Sequence, residues 1–549
     1  MTIDFANYTV LVADDSRLVC SSISSHLKKN GVEHVDLAYR ASEAIGLCKS
    51  KHYDLIICDY NFHSELNGYQ ILDELKYYRY LQADTVFMFL TGENDPKIVR
   101  SILDSEPDDY LLKPLNMRFF LKRLQAAANK KAELLPIYQH LFEQDYKRAV
   151  VACDALIAKG SKYIKLIRKY KAQSLIQLKQ FNLARSEYEI LLKADDFDWI
   201  KTSLANTLIE TNQMDKALVV LDSVADKQAN PYYHDEMSNI AALDNQLPQA
   251  IDHLKKSTML LDAGAERDLV IANLSLAVQS YDDALSYIKR YYDKNIHTFR
   301  GGDYTKINYL RCFLYKFTDH GDKKLFDHYL ECLKTILFSV SKNENLGDQY
   351  QLILAHIDMI NHDYHSAIDK VKRALPNIQD FHFYDLFHLC FLLERFSFFN
   401  EVKYLLPQCR RAINREQHAS IFRSQVLMLN ALEQHLHRTL QAISGLKNRI
   451  VSRGKVITKN ETNACLDDYL GLHDLSPTSK KLCLSIVQFI AKMSAGYQGK
   501  YDVSSKLEQC HLVMTKLYSV KELRDLNYLP LYQAARAKFP IAEFEQAVV

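Results

Sequence analysis

The stretch YDLIICDYN, Tyr53 to Asn61, decides how this chain is read, because its apolar run LIIC leads straight into an aspartate, Asp59. Short runs rich in branched side chains fit a strand buried on both faces of a parallel sheet. Asp59 then falls at the strand's C-terminal end, the edge of an open α/β sheet where ligands bind. A turn aspartate that simply ends a strand is the competing reading of that residue alone.

Three further stretches have the same form. TVLVADDSR (Thr9 to Arg17) ends its apolar run in Asp14 and Asp15, with Ser16 placed to cap a helix carrying Leu18, Val19, Ile23 and Leu27. TVFMFLTGE (Thr85 to Glu93) ends in Thr91, and DDYLLKP (Asp108 to Pro114) ends in Lys113. In one doubly wound sheet, right-handed crossovers bring all four ends to one edge. Three carboxylates, a hydroxyl and an ammonium then converge. Clustered carboxylates repel one another, and a hard divalent cation with oxygen ligands, Mg²⁺ above all, relieves that repulsion. Lys113 offers a point charge and Thr91 a hydrogen bond to a phosphoryl group. Asp59 is left as the nucleophile that would form an aspartyl phosphate.

With these residues in order, roughly the first 125 positions resemble the receiver domain of bacterial two-component response regulators. Asp14–Asp15, Asp59, Thr91–Gly92 and Lys113–Pro114 carry the likeness, and Tyr110 matches the family's aromatic switch position. The resemblance implies a flavodoxin-like fold and phosphotransfer to Asp59 from a histidine kinase or phosphotransfer protein. It implies Mg²⁺ held by Asp15, Asp59 and the backbone carbonyl of Asn61, with Asp14 acting mainly through water. Thr91 and Lys113 would hold the phosphoryl group, Thr91 and Tyr110 would switch, and the Lys113–Pro114 bond would be cis. The sequence departs from the family pattern in the loop YNFHSELNG, which reaches Gly68 one residue late, and in Glu106–Pro107 where Gly-Ala is usual.

At 549 residues the chain exceeds one ordinary domain. Lysine plus arginine at 69 against aspartate plus glutamate at 67 leaves a net charge of +2, so no basic excess advertises nucleic acid. The 11 cysteines are scattered without CxxC or metal-type spacing and read as buried thiols of a reducing compartment. No basic-then-apolar leader and no membrane-length apolar run is present, so a cytoplasmic location is expected, without membrane contact. Only 15 glycines and 11 prolines in such a length predict mostly helix.

Beyond a fifth receiver helix expected near Asn116 to Ala128, strands vanish and self-similarity appears. Segments from Tyr146, Phe181, Met214, Leu247 and Tyr281 align their alanines at 149, 184, 217, 250 and 284, and another from Tyr364 places one at 367. Twelve residues before each lies a second small residue, Ala172, Ala205, Ser238, Ala272 or Ala355, failing only at Ile137. This resembles the tetratricopeptide repeat (TPR), a helix-turn-helix unit of about 34 residues. An ordinary bundle predicts no fixed period. The gap between Tyr281 and Tyr364 leaves room for helices near Tyr304 to Phe317 and Lys323 to Ser339. From Phe399 the pattern weakens, with a further unit suggested at Gly499, and the polar stretch Ser452 to Lys481 reads as a long loop or an irregular connection. The expected domains are 1–128 receiver, 129–400 TPR-like repeats and 401–549 divergent helical repeats.

GGDYTK at Gly301 matches the opening of a diguanylate cyclase signature but sits among helices, without the α/β domain that enzyme needs. The histidines of HDYH, FHFYDLFH and HLHR lack partners at ligand spacing, and no phosphate-binding GxxxxGK[ST] or GxSxG elbow occurs. The aromatic-rich run Asp380 to Asn400 is apolar nearly all round and reads as a helix buried between neighbours.

The resulting expectation is an α/β doubly wound receiver followed by an all-α TPR-like solenoid. It would be a phosphorylation-dependent response regulator with no turnover chemistry beyond its own phosphotransfer and dephosphorylation. Its output would be an unidentified protein bound by the repeats, with signalling expected through the face of the fourth helix, fifth strand and fifth helix, where Phe119, Phe120 and Leu124 would lie close to the array. A homodimer, a constitutive scaffold whose receiver only docks, and a transcriptional regulator using the C-terminal region remain alternatives, although nucleic acid is not favoured.

Overall fold

The structure, a computed structural model, describes residues 5, 7–62, 66–92, 94–318, 322–414, 416, 418–453, 459–494 and 496–540. They form two compact units: Met1–Asp268 with Asp293–Gly301, and Leu269–Tyr292 with Gly302–Val549.

The first unit opens with β1 (Thr9–Ala13), α1 (Arg17–Lys29), β2 (His34–Ala38), α2 (Ala41–Ser50), β3 (Leu55–Asp59), α3 (Gly68–Tyr77), β4 (Val86–Thr91), α4 (Pro96–Asp104), β5 (Asp109–Leu112) and α5 (Met117–Phe142). The strands are all parallel in the order β2-β1-β3-β4-β5, the doubly wound arrangement expected. Alternation along the buried strands explains the two layers of helices. Leu11, Ala13, Ile56, Cys58, Phe87 and Phe89 pack with Ala44, Ile71, Leu72 and Ile102 on one side. Val10, Val12, Leu55, Ile57, Met88 and Leu90 pack with Ile23, Leu27, Phe120 and Leu124 on the other. Ser16 caps α1 by accepting from the Val19 amide, and Asn67 forms a reciprocal capping box with Gln70 at the start of α3.

α5 does not stop at Ala128. Its sequence from Ala126 to Leu135 contains no breaker, and the helix runs on to Phe142 with Pro136 inside it, across the expected domain boundary. The unit continues with α6 (Tyr146–Ala158), α7 (Ile164–Gln177), α8 (Phe181–Ala194), α9 (Asp198–Glu210), α10 (Met214–Asp222), α11 (Pro231–Leu243) and α12 (Leu247–Leu260); α13 (Glu266–Ala277) and α14 (Tyr281–Asn295) follow. Each of the repeating alanines 149, 184, 217 and 250 is buried, as are Ala172, Ala205 and Ser238, which lets successive helices approach closely.

The turns share one device. Gln144, Lys179, Asn212 and Asn245, each five residues before its alanine, adopt left-handed backbone with φ from 56° to 59°. The following amide reaches back to the carbonyl five residues earlier: Asp145 to His140, Gln180 to Leu175, Gln213 to Leu208 and Gln246 to Ala241, at 2.8–2.9 Å. This is a Schellman-type helix end, usually built with glycine. Ser280, Asp363 and Phe398 make the same 2.8 Å bond beside Gln279, His362 and Ser397 in the second unit, so the weak pattern at Phe399 is a further helix pair with Val402 buried at the alanine position.

Besides most of α13 and α14, the second unit holds α15 (Asp303–Phe317), α16 (Lys323–Cys332), α17 (Lys334–Ser341), α18 (Gly347–Ile360), α19 (Tyr364–Ala374), α20 (Phe383–Arg395), α21 (Phe399–Ile413), α22 (Ala419–Arg453), α23 (Lys459–Leu475), α24 (Lys480–Lys492), α25 (Val503–Leu517), α26 (Val520–Asp525) and α27 (Tyr528–Lys538). The described residues after the sheet are thus a long all-helical region, consistent with a solenoid. Three expectations need correction. Lys323 to Ser339 is two helices hinged at Leu333. The polar stretch Ser452 to Lys481 is mostly helix α23, which buries Cys465, Leu466, Leu470 and Leu472 together with the polar Asp468 and His473 that obscure its apolar face; residues 454–458 lie outside the described residues. At Gly499 the helix begins only at Val503, with Asp502 as its cap rather than a packed small residue. The aromatic-rich α20 is buried as read, and its Asp385 pairs with the buried Arg311 of α15.

Candidate functional site

The C-terminal ends of β1, β3, β4 and β5 place Asp14, Asp15, Asp59, Thr91 and Lys113 along one edge. Backbone bonds fix these ends: Asp14 N–H donates to Ala38 O at 3.0 Å, Tyr60 N–H to Leu90 O at 2.8 Å and Lys113 N–H to Thr91 O at 2.7 Å. Carboxylate oxygens of Asp14, Asp15 and Asp59 lie within 4.8 Å of one another. Lys113 Nζ bridges two of them, 2.7 Å from Asp14 Oδ2 and 3.1 Å from Asp59 Oδ1. Asp14 also accepts from the Ser16 amide at 2.9 Å. The Lys113–Pro114 peptide is cis.

Burial raises the pKa of Asp59; Lys113 opposes this, Asp14 reinforces it, and the Asn61 amide, hydrogen-bonded to the carboxylate, also opposes it. Lys113 is raised: burial works against its charge, but bonds to Asp14 and Asp59 outweigh that. Three carboxylates against one ammonium leave two negative charges uncompensated, the amount a divalent cation carries. The donors are all oxygen, the set a hard ion such as Mg²⁺ prefers, so the residues fit that ion. Thr91 is wholly buried beneath this edge, and Tyr110 packs partly buried against the core cluster that includes Ile102.

The loop that departs in length closes on Gly68, whose amide donates to Tyr60 O at 2.7 Å; His63, Ser64 and Glu65 lie outside the described residues. A Cβ on Gly68 would stand 2.5 Å from Asp59 O and 2.8 Å from Tyr60 Cα. Only glycine fits there, so the late glycine still supports β3 directly.

Sequence reasoning missed the surface through which this domain meets the helices of its own unit. Phe120 and Leu124 belong to the receiver core and Phe119 is half exposed, so these residues do not form the expected face. α3 and α4 instead contact residues 262–267 and 294–300. Asp262 and Ala263 amides donate to Ser101 Oγ at 3.3 and 3.2 Å, and Gly264 N–H to the Tyr69 hydroxyl at 3.2 Å. Gln70 Nε2 donates to Lys294 O at 2.7 Å, Arg300 pairs with Asp73, and Phe299 stacks on Tyr77. The Tyr232 hydroxyl donates to Asp104 at 2.6 Å. Ser101 also faces the hydroxyl of Tyr60, the residue after Asp59. Glu106, one of the departures from pattern, pairs with Lys169 on α7. None of these partners is local in sequence, which is why no motif revealed them.

The fold and this edge define the class of the N-terminal segment: residues 10–125 match the sequence profile of the response regulator receiver domain and are such a domain. Over 149 residues the chain is 28% identical to regulatory protein VanRB of Enterococcus faecalis, covering 26% of this chain and 64% of that protein. It is 29% identical over 133 residues to transcriptional regulatory protein YvrH of Bacillus subtilis, covering 24% and 52%. The chain therefore spans only about half to two thirds of these relatives. Among solved structures, the chemotaxis response regulator CheY4 of Vibrio cholerae is 26% identical over 22% of this chain and 98% of its own, with a TM-score of 0.21. Among the described residues no helix is long and apolar enough to cross a membrane.

Proposed function

We propose that this chain is a phosphorylation-dependent response regulator in which Asp59 accepts phosphate and the helical region, as TPR-like repeats, binds another protein. The observation that carries the reading is the single cleft in which Lys113 bridges Asp14 and Asp59 beside Asp15. An Asp59 oxygen attacks phosphorus of a phosphohistidine on a kinase or phosphotransfer protein; the P–O bond forms as the P–N bond breaks, and the imidazole leaves with the electron pair. Mg²⁺, held by Asp15, Asp59 and the Asn61 carbonyl with Asp14 acting mainly through water, would supply charge neutralisation for the phosphoryl oxygens. Lys113 shifts from Asp59 to a phosphoryl oxygen, Thr91 donates to another, and Tyr110 follows Thr91 inward.

Transmission runs along α3 and α4 in this reading. Tyr60 adjoins Asp59, Ser101 faces Tyr60, and Ser101 accepts the amides of Asp262 and Ala263. A change at Asp59 thereby reaches the helices without leaving the first unit. The receiver is taken as 1–128, the repeats as 129–400 and the divergent helices as 401–549, in a cytoplasmic protein without separate turnover chemistry.

The test is treatment with acetyl phosphate and Mg²⁺, followed by mass spectrometry of the phosphorylated chain. Wild type should gain one phosphate at Asp59 and Asp59→Asn none. Equal modification of both would exclude Asp59 as acceptor, whereas phosphorylation that leaves hydrogen exchange of α3, α4 and residues 262–267 unchanged would favour a constitutive scaffold.

A further inference from the structure

The second unit contains a second cluster of metal-ligating side chains. His473 near the end of α23, Cys483 in the first turns of α24 and Cys510 within α25 bring one nitrogen and two sulfurs within 4.8 Å of one another. All three are buried, among Leu466, Leu470, Ile486, Val487 and Met514. The Cys483 thiol is 3.5 Å from the Pro477 carbonyl, and both cysteines are free thiols.

His473 makes the cluster unusual. It is 1% exposed, its ring set against the Cys483 thiol, and no other group hydrogen-bonds Nδ1 or Nε2. Each buried polar atom left so costs on the order of 1 to 3 kcal/mol, and imidazoles in protein interiors are normally bonded on at least one side. Nearby polar groups are committed elsewhere: the Tyr528 hydroxyl to His511 at 3.2 Å and Lys506 to Asp474 at 2.6 Å. An imidazole whose surroundings are two thiols, with no other polar partner on either nitrogen, is a donor set awaiting an electrophile.

We propose that His473, Cys483 and Cys510 bind a Zn²⁺ ion that ties together α23, α24 and α25. Thiolate sulfur and imidazole nitrogen are the ligands this borderline-soft ion prefers, and a hard ion such as Mg²⁺ would reject them. Charge selects the divalent ion: two thiolates and a neutral imidazole around Zn²⁺ sum to zero, which a buried site tolerates, whereas a monovalent ion would leave a buried negative charge. Binding releases the two thiol protons to solvent and breaks no other bond. The fourth position of a tetrahedral ion remains for a water molecule or an external donor.

Cys390 and Cys409 provide an internal contrast. They also adjoin in the interior, but no third donor joins them among the described residues, so they have no comparable affinity for zinc.

The experiment uses the full chain, reduced and stripped with a chelator, then titrated with Co²⁺ with Mg²⁺ present throughout to compete at the acidic cleft. Wild type should develop a near-ultraviolet thiolate-to-cobalt charge-transfer band and strong visible bands of four-coordinate cobalt, saturating at one ion per chain and bleached by Zn²⁺. Cys483→Ser and Cys510→Ser should lose the charge-transfer band, while Cys409→Ser and Asp59→Asn keep it. Without any substitution, Zn²⁺ should also protect Cys483 and Cys510, but not Cys409, from alkylation mapped by peptide mass spectrometry. Absence of the band in wild type, its persistence in both serine variants, or failure of zinc to protect the two thiols would each overturn the proposal.

Discussion

Phe299 lies flat on Tyr77, with ring centroids 3.7 Å apart and planes inclined by 9°. Arg300 beside it pairs with Asp73 and, at 2.6 Å, with Glu266, so α3 is held by a stacked ring and a shared guanidinium. A stacked pair contributes on the order of 1 kcal/mol beyond the area it buries. Phe299→Ala should therefore quicken amide exchange across the end of α3 by roughly fivefold in the unphosphorylated protein. Exchange in β1 and β3 should stay unchanged. Hydrogen–deuterium exchange of the two proteins checks this, and an unaltered α3 would mean the polar contacts alone hold the surface.

Lys113 balances two carboxylates, and its removal has two effects of opposite sign. In Lys113→Met, buried Asp14 loses its ammonium partner at 2.7 Å, a loss of about 1 to 3 kcal/mol in metal-free buffer. The cleft also becomes more negative, so added Mg²⁺ should raise the melting temperature of the variant more than that of wild type. Phosphotransfer should nevertheless fall, because the cation proposed to receive the phosphoryl oxygen is gone. Thermal unfolding with and without Mg²⁺, beside a phosphorylation time course, separates these effects.

Gly68 supports the cleft from below. A methyl group there meets backbone, Asp59 O at 2.5 Å and Tyr60 Cα at 2.8 Å, neither of which can turn aside. Gly68→Ala should cost about 1 to 3 kcal/mol of receiver stability and weaken Mg²⁺ binding, measured by calorimetric titration. Gly46→Ala is the control: its Cβ meets nothing within 4 Å on the inner part of α2, and alanine there should stabilise by up to about 1 kcal/mol.

What the sequence disclosed and what it concealed follow from distance along the chain. Each of these residues of the acidic cleft sits at the end of an apolar run, so period-two burial plus the rule for parallel sheets brings Asp14, Asp59, Thr91 and Lys113 to one edge without coordinates. The alanine period exposed the helix pairs, because close packing demands small side chains at fixed intervals. The turns were harder to see: Gln144, Lys179 and Gln279 take left-handed backbone where glycine would have announced it. α23 hid because polar residues, Asp468 and His473 among them, are buried beside its apolar ones and mask the apolar period. The contacts of α3 with Phe299 and Arg300, and the meeting of His473 with Cys483 and Cys510, join residues on separate helices, and neither periodicity nor motif encodes such encounters.

Glu236 on α11 gives the last prediction, and its sign is fixed by its surroundings. It is enclosed, with Asn206 donating to both carboxylate oxygens at 3.1 Å and Asn239 to Oε2 at 3.0 Å. Burial raises its pKa to about 7, the two asparagines opposing the rise. Because the folded value lies above the unfolded one, the folded state holds its proton longer, so the contribution to stability is complete below about 4.5 and is lost as pH climbs through about 7. Glu236→Gln keeps the shape, and its amide oxygen can still accept from the asparagines, while the titration disappears. Above neutrality the variant should be more stable than wild type by on the order of 3 kcal/mol, with the advantage shrinking toward zero as pH falls below 4.5. Denaturant unfolding followed by the fluorescence of Trp199, the single tryptophan and a residue of the same unit, measures the difference directly. A stability difference between the two proteins that does not vary with pH would mean that Glu236 ionises without penalty, and that solvent reaches the carboxylate between α9 and α11.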